Sequence, residues 1–360
     1  MFTDENDELA TYNTYLQDTK FWQQLHTDAI EEPAKEAAAP QKKYWGTVLP
    51  AKDFDRTADA KALRSLVMER DVDEQKLIDI LAHRSQRQRM EIAMQYEIDF
   101  DEDLIGDLVT MLGADNDFGR LVWALMTPPR LYDARCLRGA MEGTGTDESV
   151  LIEILCSRNN KQIKKIIEAY SFATNFDLKK DLEQETDGNL RSLLIAMWEA
   201  DREDKNVDYT VTLGEASTLI DEELGPSLEK ILATRSYAHL RQTFLDYRRL
   251  SGHHIMEMIS RQTGGFMNPT KDAIKEGYLA IVKCVLSLPG YFAERLYMAM
   301  MGFGTDENTL TRVIVSRCEV DMKKVADIYE RRHGKSLGAA IADETSGGYC
   351  NLLLALIGQE

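Results

Sequence analysis

Two stretches of this chain carry residue types able to gather oxygen atoms around one point. One reads Met141-Glu142-Gly143-Thr144-Gly145-Thr146-Asp147-Glu148, the other Met300-Met301-Gly302-Phe303-Gly304-Thr305-Asp306-Glu307. Glycines two residues apart open backbone conformations closed to other residues, so successive carbonyls can turn toward a common centre. Thr146 and Thr305 suit the N-cap of a following helix, and the Asp-Glu pair suits its positive N-terminal end. Carbonyls alone hold a hard divalent cation poorly, so a carboxylate is needed. Forty residues after Gly145 stands Glu185, in Asp181-Leu182-Glu183-Gln184-Glu185-Thr186-Asp187-Gly188. Forty residues after Gly304 stands Glu344, in Ala342-Asp343-Glu344-Thr345-Ser346-Gly347. Each glutamate precedes a Thr-x-Gly turn. The same separation in two places is hard to produce by chance, whereas one copy alone would read as a plain helix connection.

Other chemistries fit less well. The loops are no dinucleotide fingerprint, because Glu148 or Glu307 occupies the third glycine position and no strand precedes. The nearest EF-hand candidate, Asp99-x-Asp101-x-Asp103, has Leu104 where glycine is required and Thr110 where the bidentate glutamate belongs. The five cysteines, at 136, 156, 284, 318 and 350, are odd in number and contain no CxxC. They read as small core residues in a reducing compartment. The six histidines are dispersed apart from His253-His254, and no Ser/Cys-His-acid spacing argues for catalysis. The expectation is that the protein is not an enzyme.

The elements that must position these loops are helical. Val150, Leu151, Ile154 and Leu155 keep helical spacing, as do Ile163, Ile166, Ile167 and Tyr170. No sustained period-2 alternation appears, so the fold class is all-α. One pattern recurs four times: an apolar helix followed by x-Arg-x, with Arg84, Arg158, Arg235 and Arg317 spaced by 74, 77 and 82 residues. These arginines read as structural partners of carboxylates and carbonyls. Apolar runs such as 121–126 and 193–198 close the repeats, and their Trp123 and Trp198 read as packing, as do Trp22 and Trp45. One such unit cannot bury all its apolar faces, so neighbours must pack together. Residues 46–126, 127–200, 211–287 and 288–360 form four units, with 201–210 a linker. Residues 1–45 are a head: acidic and aromatic around Tyr12, Tyr15, Phe21 and Trp22, then an Ala/Glu/Pro stretch to Gln41.

The loops, the glutamates forty residues on and the x-Arg-x repeat resemble the annexin family. So do Gly46-Thr47-Val48, Arg130-Leu131-Tyr132-Asp133-Ala134 and the terminal Asn351-Leu352-Leu353-Leu354-Ala355-Leu356. The resemblance covers residues 46–360. It implies four repeats of about five helices packed into a curved disc, and calcium-dependent phospholipid binding through type II calcium sites. Carried over residue by residue, it implies a second-unit site of the Met141, Gly143 and Gly145 carbonyls with bidentate Glu185. The fourth-unit site would use the carbonyls of Met300, Gly302 and Gly304 with Glu344. The other units depart from the pattern. The first reads Met68-Glu69-Arg70-Asp71-Val72-Asp73-Glu74 and has Met111 at the carboxylate position. The third shrinks to Leu219-Ile220-Asp221-Glu222-Glu223-Leu224-Gly225-Pro226 and has Gln262 there. Both sites are expected to be lost or much weakened.

Charge and composition bound the function. A net charge of −18 argues against a nucleic-acid binder and against unaided attachment to an anionic bilayer. A bound divalent cation reverses that locally. The N-terminus has no apolar signal region and no run approaches the ~18 apolar residues of a membrane span, so the expectation is a cytoplasmic protein, reversibly membrane-associated. The expected cofactor is Ca²⁺ and the expected partner an anionic phospholipid membrane, with a possible protein partner of the head. The alternative is a scaffold whose helical repeats and head bind proteins, with calcium secondary.

Overall fold

The computed structural model describes residues 44–69, 72–222, 226–262, 269–302 and 304–359. Of the head, Tyr44 and Trp45 are among them and residues 1–43 lie outside. All regular structure among the described residues is helical. The first repeat runs α1 (Arg56–Met68), α2 (Glu74–Leu81), α3 (Gln86–Phe100), α4 (Leu104–Leu112) and α5 (Asp117–Met126). The second runs α6 (Pro129–Ala140), α7 (Glu148–Ser157), α8 (Asn160–Thr174), α9 (Leu178–Glu185) and α10 (Gly188–Trp198). The third has α11 (Tyr209–Glu222), α12 (Pro226–Thr234), α13 (Tyr237–Ser251) and α14 (Ile255–Gln262), and then enters α15 (Pro269–Ala299). The fourth continues from the end of α15 into α16 (Glu307–Arg317), α17 (Met322–His333), α18 (Leu337–Glu344) and α19 (Gly347–Ile357). The long α15 is two helices across a kink. Ser287 leaves helical geometry there, at φ −161° and ψ 97°. Pro289, two residues on, lacks the N–H that would continue the ladder.

The repeat shows in local chemistry as well as element order. The third helix of every repeat ends on a left-handed residue: Asp101, Asn175, Gly252 and Gly334. Their spacings, 74, 77 and 82, are those of the four arginines. Ser85 and Asn159 open α3 and α8 with capping boxes, closed by Gln88 and Gln162. A buried tyrosine keeps the same register in Tyr96, Tyr170, Tyr247 and Tyr329.

Two compact units result: residues through Pro128 with Phe292–Glu360, and Pro129–Tyr291. The first unit joins the first and fourth repeats. Its core is made by their second and fifth helices: α16 packs on α5 and α19, and α19 on α2 and α5. Leu77, Leu81, Leu121, Leu125, Val313, Leu352 and Leu353 are wholly buried. Each such side chain contributes about 1.5–3 kcal/mol by leaving water. The second unit joins the second and third repeats, where α10 packs on α7 and α12. Cys156 and Cys318 lie fully inside, and burial pushes both thiols up to about 12, so they stay protonated. None of the five cysteines forms a disulfide, and four of them are buried.

The recurring arginines hold each repeat together. Arg84 pairs with Asp59 at 2.5 and 2.9 Å, and Arg158 with Asp133 at 2.8 Å through both nitrogens of its fork. Arg235 bonds Glu215 at 2.6 Å and Glu203 at 2.9 Å. In the fourth repeat the position matching Asp59 and Asp133 is Phe292. Arg317 lies over that ring at 4.7 Å and takes its carboxylate from Asp321 instead, at 2.7 Å.

Candidate metal centre

Both glycine loops form between the first and second helix of a repeat: residues 141–147 join α6 to α7, and 300–306 join α15 to α16. Each closes on itself in the same way. The Asp147 amide donates to the Ala140 carbonyl at 2.8 Å, and the Asp306 amide to the Ala299 carbonyl at 2.8 Å. Met141 and Met300 are 5% and 7% exposed, so their side chains anchor the loop while the residues that follow stand in solvent. Gly143, Gly145, Gly302 and Gly304 have φ of 96°, 124°, 109° and 85°. A Cβ at any of them would meet no atom within 4 Å. Glycine is therefore required by the backbone's left-handed conformation, which turns the peptide planes, and not by crowding.

The helix cap differs from expectation. Asp147 and Asp306, not the threonines, are the N-caps. Asp147 Oδ1 accepts from the Ser149 amide at 3.1 Å, and Asp306 Oδ1 from the Thr309 amide at 2.9 Å. A carboxylate both caps and meets the positive helix end, so it displaces a neutral hydroxyl from that role. The threonines are released for another task. Thr146 Oγ1 donates to the Glu185 carbonyl at 3.1 Å and stands 3.4 Å from its Oε2. Thr305 Oγ1 makes the same pair of contacts with Glu344, at 3.4 and 3.5 Å. The hydroxyl latches the loop to the glutamate across forty residues of chain. Sequence reasoning missed this role. Its signal was the recurrence of a threonine directly after the second glycine in the two loops that have a glutamate forty residues on.

Glu185 and Glu344 are exposed, and each is the last residue of its helix, α9 or α18. A helix C-terminus carries partial negative charge, which favours a cation there. Each arrangement thus offers backbone carbonyls, one carboxylate and open space, all hard oxygen donors. Among the described residues no three His, Cys, Asp or Glu side chains gather into a metal cluster. That donor set suits calcium better than zinc, which prefers sulfur and nitrogen.

The other two repeats lack the arrangement. In the first, Val72 precedes the cap Asp73 where Thr146 precedes Asp147, so no hydroxyl is present to make the latch. Met111 falls in the last turn of α4. In the third, only residues 223–225 separate α11 from α12, and Gln262 ends α14 where Glu185 ends α9.

The annexin family model matches residues 58–125, 132–197, 227–268 and 291–356. The chain belongs to the annexin family. Human annexin A7 is 38% identical over 339 residues, covering 92% of this annexin and 67% of that protein. Mouse annexin A6 is 39% identical over 336 residues, covering 90% and 49%. This annexin therefore spans about two thirds of the length of annexin A7 and about half that of annexin A6. Among solved structures, annexin III aligns with a TM-score of 0.82 at 35% identity, over 88% of this chain and 97% of the other. A calcium-bound annexin (Sm)1 aligns at 0.79 and 27% identity, over 88% and 94%.

Proposed function

We propose that this annexin binds calcium in its second and fourth repeats and docks through it onto anionic phospholipid membranes. Annexins are known as calcium-dependent phospholipid-binding proteins, and the solved relative annexin (Sm)1 is calcium-bound. The carbonyls of Met141, Gly143 and Gly145 with Glu185 would hold one ion, those of Met300, Gly302 and Gly304 with Glu344 another. The observation that carries the reading is the threonine latch, which joins loop and glutamate in these two repeats.

Three carbonyls and a bidentate carboxylate make five ligands. Calcium takes six to eight, so about one to three positions would remain for water or a lipid phosphate oxygen. One carboxylate leaves about +1 on each loaded site, which would let a chain of charge −18 approach an anionic bilayer. Calcium and lipid affinities should raise each other by the same factor. Two sites on one chain add avidity. The first and third repeats contribute little, for want of glycine carbonyls and a carboxylate. The chain would act without enzymatic chemistry, as a cytoplasmic protein that visits membranes reversibly, its head free for a protein partner. No described helix is long and apolar enough to cross a membrane. The repeat bounds 46–126, 127–200, 211–287 and 288–360, with 201–210 as linker, are proposed alongside.

Co-sedimentation with phosphatidylserine vesicles tests this. The wild type should pellet only with calcium. Glu185→Gln and Glu344→Gln should each raise the calcium required, and the pair should nearly abolish pelleting. Wild-type behaviour of the double variant would remove both sites from the membrane contact.

A further inference from the structure

The two loops differ at the residue after the buried methionine: Glu142 in the second repeat, Met301 in the fourth. That difference extends into the helices below. Arg138, near the end of α6, reaches Glu142 Oε1 at 2.5 Å and Asp181 Oδ2 at 3.3 Å. Asp181 lies one helical turn before Glu185 on α9, and it also accepts from the Tyr170 hydroxyl at 2.5 Å. The Arg138 guanidinium lies over Phe176, 4.0 Å from the ring centre. One side chain thus touches both halves of the candidate site: the loop, through the neighbour of Met141, and the helix that ends in Glu185.

The fourth repeat has no such link. Tyr297 replaces the arginine, Ala340 the aspartate and Met301 the glutamate, and Tyr297 stacks on His333 at 3.8 Å. The first repeat separates the two parts of the device. There Arg64 approaches Asp107 at 3.4 Å and bonds Tyr96 at 2.9 Å, as Arg138 and its partners do, but its other acceptor is Glu102. The position matching Glu142 is Met68, the last residue of α1, 68% exposed. The Arg-Tyr-Asp core therefore serves the fold with or without a site. The contact to Glu142 is an addition confined, among the described loops, to the second repeat.

We propose that Glu142, held by Arg138, is a positioning residue that preorganises the second-repeat calcium loop against the helix bearing Glu185. The proposal rests on the calcium reading above. Glu142 is not counted as a ligand. It restrains the loop with its carbonyls turned, so less ordering remains when the ion binds.

The test uses the full chain carrying Glu344→Gln, so that only the second-repeat site answers, with calcium titrated against phosphatidylserine–phosphatidylcholine vesicles. Glu142→Met should raise the calcium midpoint about fivefold, the effect of one well-placed ion pair. Glu142→Gln should fall between, because it still accepts from Arg138. The gap between wild type and Glu142→Met should narrow as salt screens the pair. Arg64→Gln is the control: it should lower melting temperature without moving the midpoint. Glu185→Gln in the same background separates the two claims. If it leaves the midpoint unchanged, the site itself is misassigned. If it raises the midpoint while Glu142→Met does not, the positioning role alone fails. Tighter calcium binding by Glu142→Met or Arg138→Gln would overturn it as well.

Discussion

At the residue scale, a threonine hydroxyl meets the glutamate of each candidate site. Thr146 and Thr305 each bond the carbonyl of a glutamate forty residues away and stand beside its carboxylate. Removing the hydroxyls should leave the loops folded, since Asp147 and Asp306 cap the following helices. Thr146→Val with Thr305→Val, which copies the natural Val72, should raise the calcium needed for vesicle binding severalfold. Each lost hydrogen bond is worth about 1 kcal/mol, or about fivefold per site. Circular dichroism should stay unchanged. A calcium midpoint equal to wild type would mean that the latch is incidental.

At the element scale, ion pairs fix how the first helix of a repeat meets the second and third. Arg158 and Asp133 are both almost wholly buried, at 5% and 8% side-chain exposure. Deleting one partner breaks a buried ion pair, which costs about 3–5 kcal/mol. Asp133→Ala should shift the urea midpoint accordingly, without altering the calcium dependence of the remaining folded protein. The fourth repeat invites a pH measurement instead. Burial, with Arg332 nearby, holds the His333 imidazole below its ordinary value of 6.5. Its neutral ring stacks on Tyr297 and leans on Tyr329. The unfolded chain then binds a proton more readily than the folded one. The contribution is fully present above the ordinary value and is lost as pH falls through the folded one. Melting curves between pH 7.5 and 5 should show this loss, and His333→Phe should flatten it. An unchanged slope in that variant would assign the pH sensitivity to other groups.

At the scale of the whole molecule, the last two residues of the head and those just after it are part of the first unit. The Thr47 amide donates to the Cys318 carbonyl at 2.7 Å, Tyr44 bonds the Glu319 carbonyl at 3.0 Å, and Lys324 lies over Trp45. Glu319 in turn binds the Gln86 amide at 2.6 Å and Arg89 at 2.8 Å, tying the fourth repeat to the first. Gly46 fits because a Cβ would lie 2.8 Å from the Glu319 backbone. Truncation before Tyr44 should therefore leave both melting temperature and calcium-dependent vesicle binding near wild type. Truncation through Val48 should lower the melting temperature by several degrees, as the loss of a few such bonds implies. Loss of vesicle binding by the shorter truncation, with the fold intact, would place the head in the membrane contact.

Much of this was legible without coordinates, because helical periodicity, glycine spacing and a recurring arginine are local or strictly periodic signals. The all-α class, the number of repeats and the glycine loops follow from them. So does the absence of the glycine-and-carboxylate pattern from the first and third repeats, where Met111 and Gln262 stand at the carboxylate position. What the chain's text does not state is which acceptor a donor finds across tens of residues. The threonines' capping role was inferred from the nearest helix, yet the competing aspartate one residue on is the stronger cap, and the hydroxyl turns to Glu185 or Glu344. Arg317 recurs in register, but its carboxylate comes from Asp321 because Phe292 stands where Asp59 and Asp133 stand. Arg138 reaches both a loop and a helix 43 residues away. Sequence determines which groups are available at which period. Only the packing of α6, α8 and α9, and of their counterparts, brings separated donors and acceptors within hydrogen-bonding reach, where geometry chooses among them.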